Sequence, residues 1–410
     1  MSRILLCEQY YYPEGWGGAE LPRDVTLHLR ELGHEVGVLC GSDPYIPVVG
    51  DPGIDPSTRG IRLLRVPRLL GGEARKYRLL RQAWFYLHAL RFLLFRRPPD
   101  LFMVQTNPPL IVVIVAFAAM LWRRPMVVIA QDLYPEAIVA HGALRESSLI
   151  IRFLARLFTW SYRRAATVVS LGERMTSRLI VKGVPPERIT VISNWATGPT
   201  DVVRGPANRL LTDWNLASRF VLLYSGNLGV GHEFVTIAEA LKLAVAEEPR
   251  ITLVVIGRGG RLGELQEAVA RLGLEASVQF HDFVPAARLP ESLGIADVAL
   301  VTLRDGFDGL IVPSKVLGYM ARGLPVLYIG PEGDTSSLLD RSGSGSGFRN
   351  GRAAEVARWL VDASRHAATL AETGERGRQY YLRHLSREQG LDNYARVVER
   401  CLGSTDRVER

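Results

Sequence analysis

Short runs of β-branched and aliphatic residues alternate with longer amphipathic stretches through the first half of the chain. Arg3–Cys7 predicts a strand, Gly18–Leu32 a helix stopped at Gly33-His34, and Glu35–Cys40 the next strand. Leu101–Gln105, Met126–Ala130 and Ala166–Leu171 repeat the strand pattern, and Ile189–Ile192 predicts the last one. The pattern then restarts. Phe220–Ser225 predicts a strand, followed by the turn Gly226-Asn227-Leu228-Gly229 and a helix through Ala246. Thr252–Gly257 predicts a strand and the next stretch a helix through Leu272, with further strands at Ser277–Phe280, Val298–Thr302 and Pro325–Ile329. The run Ser342–Gly347, alternating serine and glycine, predicts a flexible loop, and Ala353–Leu402 a helical tail.

Apolar strands separated by helices predict parallel sheets covered on both faces, hence an α/β fold. The stretch Ala196–Asn215, with Gly198, Pro199, Gly205 and Pro206, has linker composition. The expected organisation is an N-terminal Rossmann-like domain over 1–197, a linker over 198–215 and a second Rossmann-like domain over 216–380. A C-terminal helix over 381–410 is expected to return to the first domain. In open sheets of this kind ligands bind beyond the carboxyl ends of the strands, so a central cleft between two such edges is the expected site.

Composition changes this picture little, and charge more. The chain has 410 residues, 47% apolar and 22% charged, too long for one ordinary core. Its net charge is +8, and its positive charge is almost all arginine, since lysine occurs only at Lys76, Lys182, Lys242 and Lys315. Such an excess suits a phosphorylated ligand, an anionic lipid or nucleic acid. Charge alone motivates the last, and no nucleic-acid partner is expected. Cys7, Cys40 and Cys401 lack metal or redox spacing and point to a reducing, cytoplasmic compartment, and Cys7 and Cys40 are expected as buried small hydrophobes. No signal peptide is expected at the N-terminus. The apolar run Pro108–Trp122 falls short of a bilayer span and predicts a buried helix.

Four constellations follow strands. Gly17-Gly18, between the first strand and the first helix, offers backbone N–H groups and a helix dipole to phosphate, or only a tight turn. Ser225-Gly226-Asn227 with His232 occupies the same place in the second domain; His232 reads equally as a solvated first-turn residue. Pro313-Ser314-Lys315 predicts a helix start with a point charge for phosphate, against a solvated lysine. Asp132, just after the strand Met126–Ala130, is placed to orient a sugar or its developing cation, or else caps a helix.

Taken together these loops resemble family 4 of the retaining glycosyltransferases, with the two-domain GT-B fold. The branch is that of surface polysaccharides and O-antigens, which includes the fucosamine transferase. The resemblance rests on Tyr12-Pro13 with Gly17-Gly18-Ala19-Glu20, Thr106-Asn107-Pro108-Pro109, Asp132-Leu133-Tyr134-Pro135-Glu136 and Val191-Ile192-Ser193-Asn194-Trp195. It continues through Tyr224-Ser225-Gly226-Asn227-Leu228-Gly229, Val312-Pro313-Ser314-Lys315 and Ala321-Arg322-Gly323-Leu324-Pro325-Val326. It implies retaining, metal-independent transfer of a hexosyl or N-acetylaminosugar unit from a nucleoside-diphosphate sugar, UDP-linked, to a glycan or lipid-linked acceptor.

By the same resemblance Gly17, Gly18, Ser225, Gly226, Asn227, His232 and Ser314 surround the donor diphosphate, and Asp132 and Lys315 are catalytic. Gly257, Arg258, Phe283 and Val284 take the nucleobase. No cofactor and no metal is implied. Two departures matter: the family's arginine and lysine in the second-domain loop are Asn227 and His232 here, and its paired glutamates are Leu310 and Gly318. Glu332 or Asp334 is left to hold the ribose. The missing glutamates motivate an alternative, a non-catalytic sugar-nucleotide-binding or scaffolding subunit of a polysaccharide assembly complex. Basic, aromatic-bearing stretches at Tyr77–Arg97 and Ile150–Arg164 predict peripheral attachment to an anionic membrane surface, the inner face of the plasma membrane.

Overall fold

The computed structural model describes residues 1–11, 20–41, 60–67, 69 and 78–405. It divides into two compact units: Met1–Ser193 with Gly309–Ile311 and Glu388–Arg410, and Asn194–Asp308 with Val312–Arg387.

The first unit runs β1 (Arg3–Cys7), α1 (Glu20–Glu31), β2 (Glu35–Gly41), β3 (Arg62–Val66), α2 (Arg78–Phe95), β4 (Leu101–Gln105) and α3 (Ile111–Leu121). It continues with β5 (Met126–Ile129), α4 (Glu136–Ala140), α5 (Leu149–Arg164), β6 (Thr167–Ser170), α6 (Glu173–Val181) and β7 (Ile189–Val191). The strands pair in the order β3-β2-β1-β4-β5-β6-β7, every pair parallel. Every residue of β4 and β5 is buried, which is why these strands read as continuous apolar runs rather than alternating ones.

The second unit holds α7 (Arg209–Asp213), β8 (Phe220–Ser225), α8 (Val235–Glu247), β9 (Ile251–Ile256), α9 (Leu262–Leu272), β10 (Val278–His281) and α10 (Leu289–Gly294). Then come β11 (Val298–Thr302), α11 (Lys315–Ala321), β12 (Val326–Ile329), α12 (Asp334–Ser342), β13 (Gly345–Phe348), α13 (Ala353–Arg365) and α14 (Ala367–His384). A last helix, α15 (Arg387–Thr405), belongs almost wholly to the first unit, where Arg400 reaches Thr190 Oγ1 at 3.1 Å. The second sheet is again parallel, in the order β10-β9-β8-β11-β12-β13. Its core is formed where α8 and α13 cover the strands, with Leu222, Ile237, Leu241, Leu300 and Leu360 all out of water. Burying each such side chain contributes about 1.5–3 kcal/mol.

In each sheet the strand order reverses once, between β1 and β4 in the first and between β8 and β11 in the second. Loops leaving the two strands at such a point diverge and open a crevice at their carboxyl ends. The fold is therefore α/β with two parallel Rossmann-like sheets and a helical C-terminal tail.

Three expectations are corrected. The serine–glycine run is not a loop throughout: Gly345–Phe348 pairs with β12 from Val326↔Gly345 to Ile329↔Phe348. The exposed edge of β12 needs backbone partners, and Ser342 Oγ bonded to Ser344 Oγ at 2.7 Å ties the turn that delivers them. Arg62–Val66 forms an edge strand where none is predicted. The helix from the run Pro108–Trp122 buries one side but leaves Phe117 and Leu121 largely exposed. The three cysteines are free and buried.

Candidate functional site

The crevice at β8 and β11 assembles around Lys315. This lysine opens α11, with Ser314 at the N-cap and exposed. Its ammonium donates to the Asn227 carbonyl at 3.3 Å, lies 3.3 Å from His232 Nε2 and sits 5.0 Å above the Tyr224 ring. Burial lowers its pKa to about 8.

Two glycines make this placement possible. Gly226 has φ +131°, and the Lys315 stem crosses the space a Cβ would fill. Gly257 has φ +145°, and a Cβ there would collide with the Gly226 carbonyl. Gly226, Gly257 and Phe283 are thereby brought together, Phe283 lying 3.4 Å from the Cβ position of Gly257. The N–H groups of Ser225, Gly226 and Leu228 are all used internally, donating to Tyr319 Oη, the Ile256 carbonyl and the Arg258 carbonyl at 3.1, 2.8 and 2.9 Å. The charge that this loop presents is the Lys315 ammonium, not those N–H groups.

His232 is half-buried rather than a solvated first-turn residue, because α8 begins three residues later at Val235. Its Nδ1 lies 2.9 Å from the Thr302 carbonyl and 3.2 Å from Thr302 Oγ1 at the end of β11. An ammonium can only donate, so Nε2 is the acceptor and Nδ1 carries the proton toward the Thr302 carbonyl. Burial, and then the Lys315 and Arg261 charges, push its pKa down to about 3, so the ring is neutral at physiological pH.

Around this centre the other predicted residues fall into two groups. Arg258 forms a two-pronged pair with Asp282, at 2.7 and 2.9 Å, beside exposed Phe283 and half-buried Val284 at the ends of β9 and β10. Glu332 and Asp334 follow β12, two strands from β8 on the side away from β9 and β10, and Glu332 is paired with Arg349. They are not brought to the Gly257–Phe283 group. Gly318 accepts the Arg322 Nη1 at its carbonyl, 2.8 Å away, and Leu310 is buried in the first unit, accepting the Leu133 N–H at 3.0 Å.

In the first unit Asp132 follows β5. Thr106 Oγ1, at the end of neighbouring β4, accepts the Gln131 and Asp132 N–H groups at 3.0 and 3.1 Å and fixes the turn. Tyr134 Oη donates to the Asp132 carboxylate at 3.4 Å. Burial raises the carboxyl pKa, opposed by His141 and by the Tyr134 bond. Asp132 is not a helix cap, since α4 starts at Glu136 with Pro135 in the cap position. Gly17 and Gly18 lie outside the described residues.

Residues 17–195 match the family model described as a glycosyl transferase 4-like domain, and residues 219–366 match that of glycosyl transferases group 1. The chain belongs to this glycosyltransferase family. It is 30% identical over 256 residues to WbjE of Pseudomonas aeruginosa, named as a probable glycosyltransferase, covering 61% of this chain and 62% of that protein. It is 27% identical over 165 residues to WcaI of Escherichia coli (strain K12), named for a glycosyl transferase of colanic acid biosynthesis, covering 38% of each. The matched region thus spans under two thirds of either relative. Among solved structures, Anabaena HepE in complex with UDP-glucose superposes with a TM-score of 0.73 at 18% identity, over 97% of this chain and 100% of that one.

Tyr224, Thr302 and Tyr319 on one unit, and Thr106 and Tyr134 on the other, hold the site residues, yet none of the five is singled out as a site residue by the sequence. Thr302 lies 70 residues from the histidine it orients, and Tyr319 lies 94 from Ser225. The signal available is position: Thr302 ends a predicted strand, and Tyr319 is one turn beyond Lys315 on the same helix.

Proposed function

We propose that the protein transfers a sugar, with retention at the anomeric carbon, from a UDP-linked sugar to a hydroxyl of a glycan or lipid-linked acceptor in surface polysaccharide biosynthesis. The observation that carries this reading is the Lys315 ammonium, held by the Asn227 carbonyl, His232 and Tyr224 where the second sheet reverses order. A diphosphate leaving group accumulates negative charge as the glycosidic bond breaks, and a fixed cation in a partly dry crevice stabilises that charge. Lys315 takes this role, Ser314 stands beside it, and His232 positions it. Ser225, Gly226 and Asn227 shape the loop over which its stem lies. Gly17 and Gly18 are assigned to the same diphosphate from their sequence pattern.

Gly257, Arg258, Phe283 and Val284 form the proposed nucleobase group, Arg258 being held in place by Asp282. The ribose is assigned to Glu332 or Asp334 on sequence grounds, both of which follow β12. Asp132 is assigned the second catalytic role, toward the developing cationic sugar; its fixed turn and its raised pKa support a carboxylate kept for chemistry rather than for capping. HepE, of the same fold, binds UDP-glucose, which favours a uridine donor here. Attachment to the inner face of the plasma membrane, expected from the basic stretches at 77–97 and 150–164, would place the protein on the surface that carries lipid-linked acceptors.

The test is incubation of the purified protein with a panel of nucleoside-diphosphate sugars, following release of the nucleoside diphosphate. Slow hydrolysis of one donor, with the released sugar keeping its anomeric configuration, is expected. Binding without any turnover across panel and acceptors would favour the non-catalytic subunit suggested by Leu310 and Gly318.

A further inference from the structure

The edge of the first sheet opposite Asp132 carries a different chemistry. α3 packs between α2 and α5, and all three helices end at the amino edge of the sheet, each leading into a strand. At those ends Phe95 is 82% exposed, Leu121 55% and Phe117 43%, with Met120 beside them. Large apolar groups gathered in water at one edge mark a contact surface.

A cavity of about 580 Å³ opens at the same edge. Its floor is apolar, formed by Ala116, Ala119, Met126, Ala166 and Cys401. Its rim carries Arg123, Arg124, Arg164 and Arg400, with Glu187 as the acidic residue of the lining. Arg400 is anchored by Thr190 Oγ1 at 3.1 Å, and Arg164 stacks over Trp160 at 5.7 Å. Arg96 and Arg97, both exposed at the end of α2, extend the basic rim past the apolar patch. An apolar floor under a guanidinium rim suits an amphiphile whose head is anionic. Guanidinium groups pair well with phosphate oxygens, and the exposed phenyl and leucyl groups alongside suit an acyl boundary rather than a soluble anion.

We propose that this amino edge docks on an anionic bilayer, with one phospholipid phosphate seated in the arginine-rimmed cavity and Phe95, Phe117 and Leu121 entering the acyl boundary. Among the described residues no helix is long and apolar enough to cross a membrane, so the contact is from one side. The site stands at the end of the strands away from Asp132, so docking here leaves that carboxylate uncovered. Vesicle binding reads this surface and not sugar transfer, so this proposal and the transfer reading fail separately.

The experiment is co-sedimentation of the full chain with vesicles of phosphatidylcholine alone, or carrying about one-third phosphatidylglycerol. At about 0.1 M salt, binding to the anionic vesicles only is expected, falling steeply as salt is raised. Each arginine near such a surface strengthens binding roughly fivefold, so Arg123→Glu with Arg164→Glu should weaken it roughly twenty-five-fold or more. Arg271→Glu with Arg358→Glu, exposed positions on the second unit, should leave it unchanged. If the rim pair does not fold, Arg164→Gln with Arg400→Gln replaces it, with a weakening of several-fold expected. Equal binding to both vesicle types, no binding to either, or loss matched by the control pair would overturn the proposal.

Discussion

Lys315 Nζ and His232 Nε2 stand 3.3 Å apart, with the imidazole anchored on its other side by Thr302. A neutral histidine thus occupies the place where the resembled family has a lysine, and it serves the cation instead of being one. The loop's positive charge is concentrated in a residue 83 positions further along the chain.

If His232 acts only through Lys315, the two are not additive. His232→Phe should weaken donor binding by about 0.5–1.5 kcal/mol, the worth of one hydrogen bond. In a Lys315→Ala background the same change should do almost nothing, and His232→Gln should recover part of the loss by supplying an oxygen acceptor. A double-mutant cycle on donor affinity checks this; full additivity would show that His232 touches the donor itself.

The lowered pKa of Lys315 predicts an alkaline limb. Its charge is present below about 8 and lost as pH rises through that value, so donor affinity in the free enzyme should be flat toward neutrality and fall above about 8. Tyr224 and His232, which face the ammonium, do not titrate in that range: the phenol is pushed up and the imidazole down to about 3. Lys315→Arg keeps a charge throughout, so its affinity profile, whatever its level, should lose the limb. Titration of donor binding against pH in both proteins reads this directly.

Asp132→Asn should lower turnover more than donor affinity, as expected for a contact made mainly in the transition state. Its effect on stability should have the opposite sign. A carboxyl whose folded pKa is raised binds its proton more tightly when folded, so ionisation at neutral pH disfavours the folded state. The neutral amide removes that cost, and the melting temperature should hold or rise at pH 7. A lower melting temperature with unchanged turnover would assign Asp132 to structure.

Diphosphate charge balanced by a protein cation leaves chelation without effect. Transfer measured with and without EDTA should match. A rate that collapses in chelator and returns with manganese would place a metal ion at the diphosphate.

The parts of the fold that could be read in advance are those where one physical term dominates. β4, β5, β8 and β11 are buried on both faces and announce themselves as unbroken apolar runs. β13 does not, because Gly345-Ser346-Gly347 has no apolar side chains to show and forms through the backbone needs of β12. Lys315 is legible in the sequence as a scarce lysine at a helix start. Its orientation is not, because Asn227, His232 and Tyr224 reach it across nearly ninety residues of chain. In the sequence Asp132 reads equally as a cap, because nothing there shows that α4 begins only after Pro135.

Calorimetry of UDP binding to the wild-type protein and to Lys315→Ala, at pH 7 with EDTA present, tests the donor site most directly. A charge-assisted bond is worth about 1.5–3 kcal/mol, so the substitution should weaken UDP by roughly tenfold to a hundredfold while the melting temperature stays unchanged or rises. UDP bound equally by both proteins, or by neither, would contradict a donor diphosphate held at Lys315.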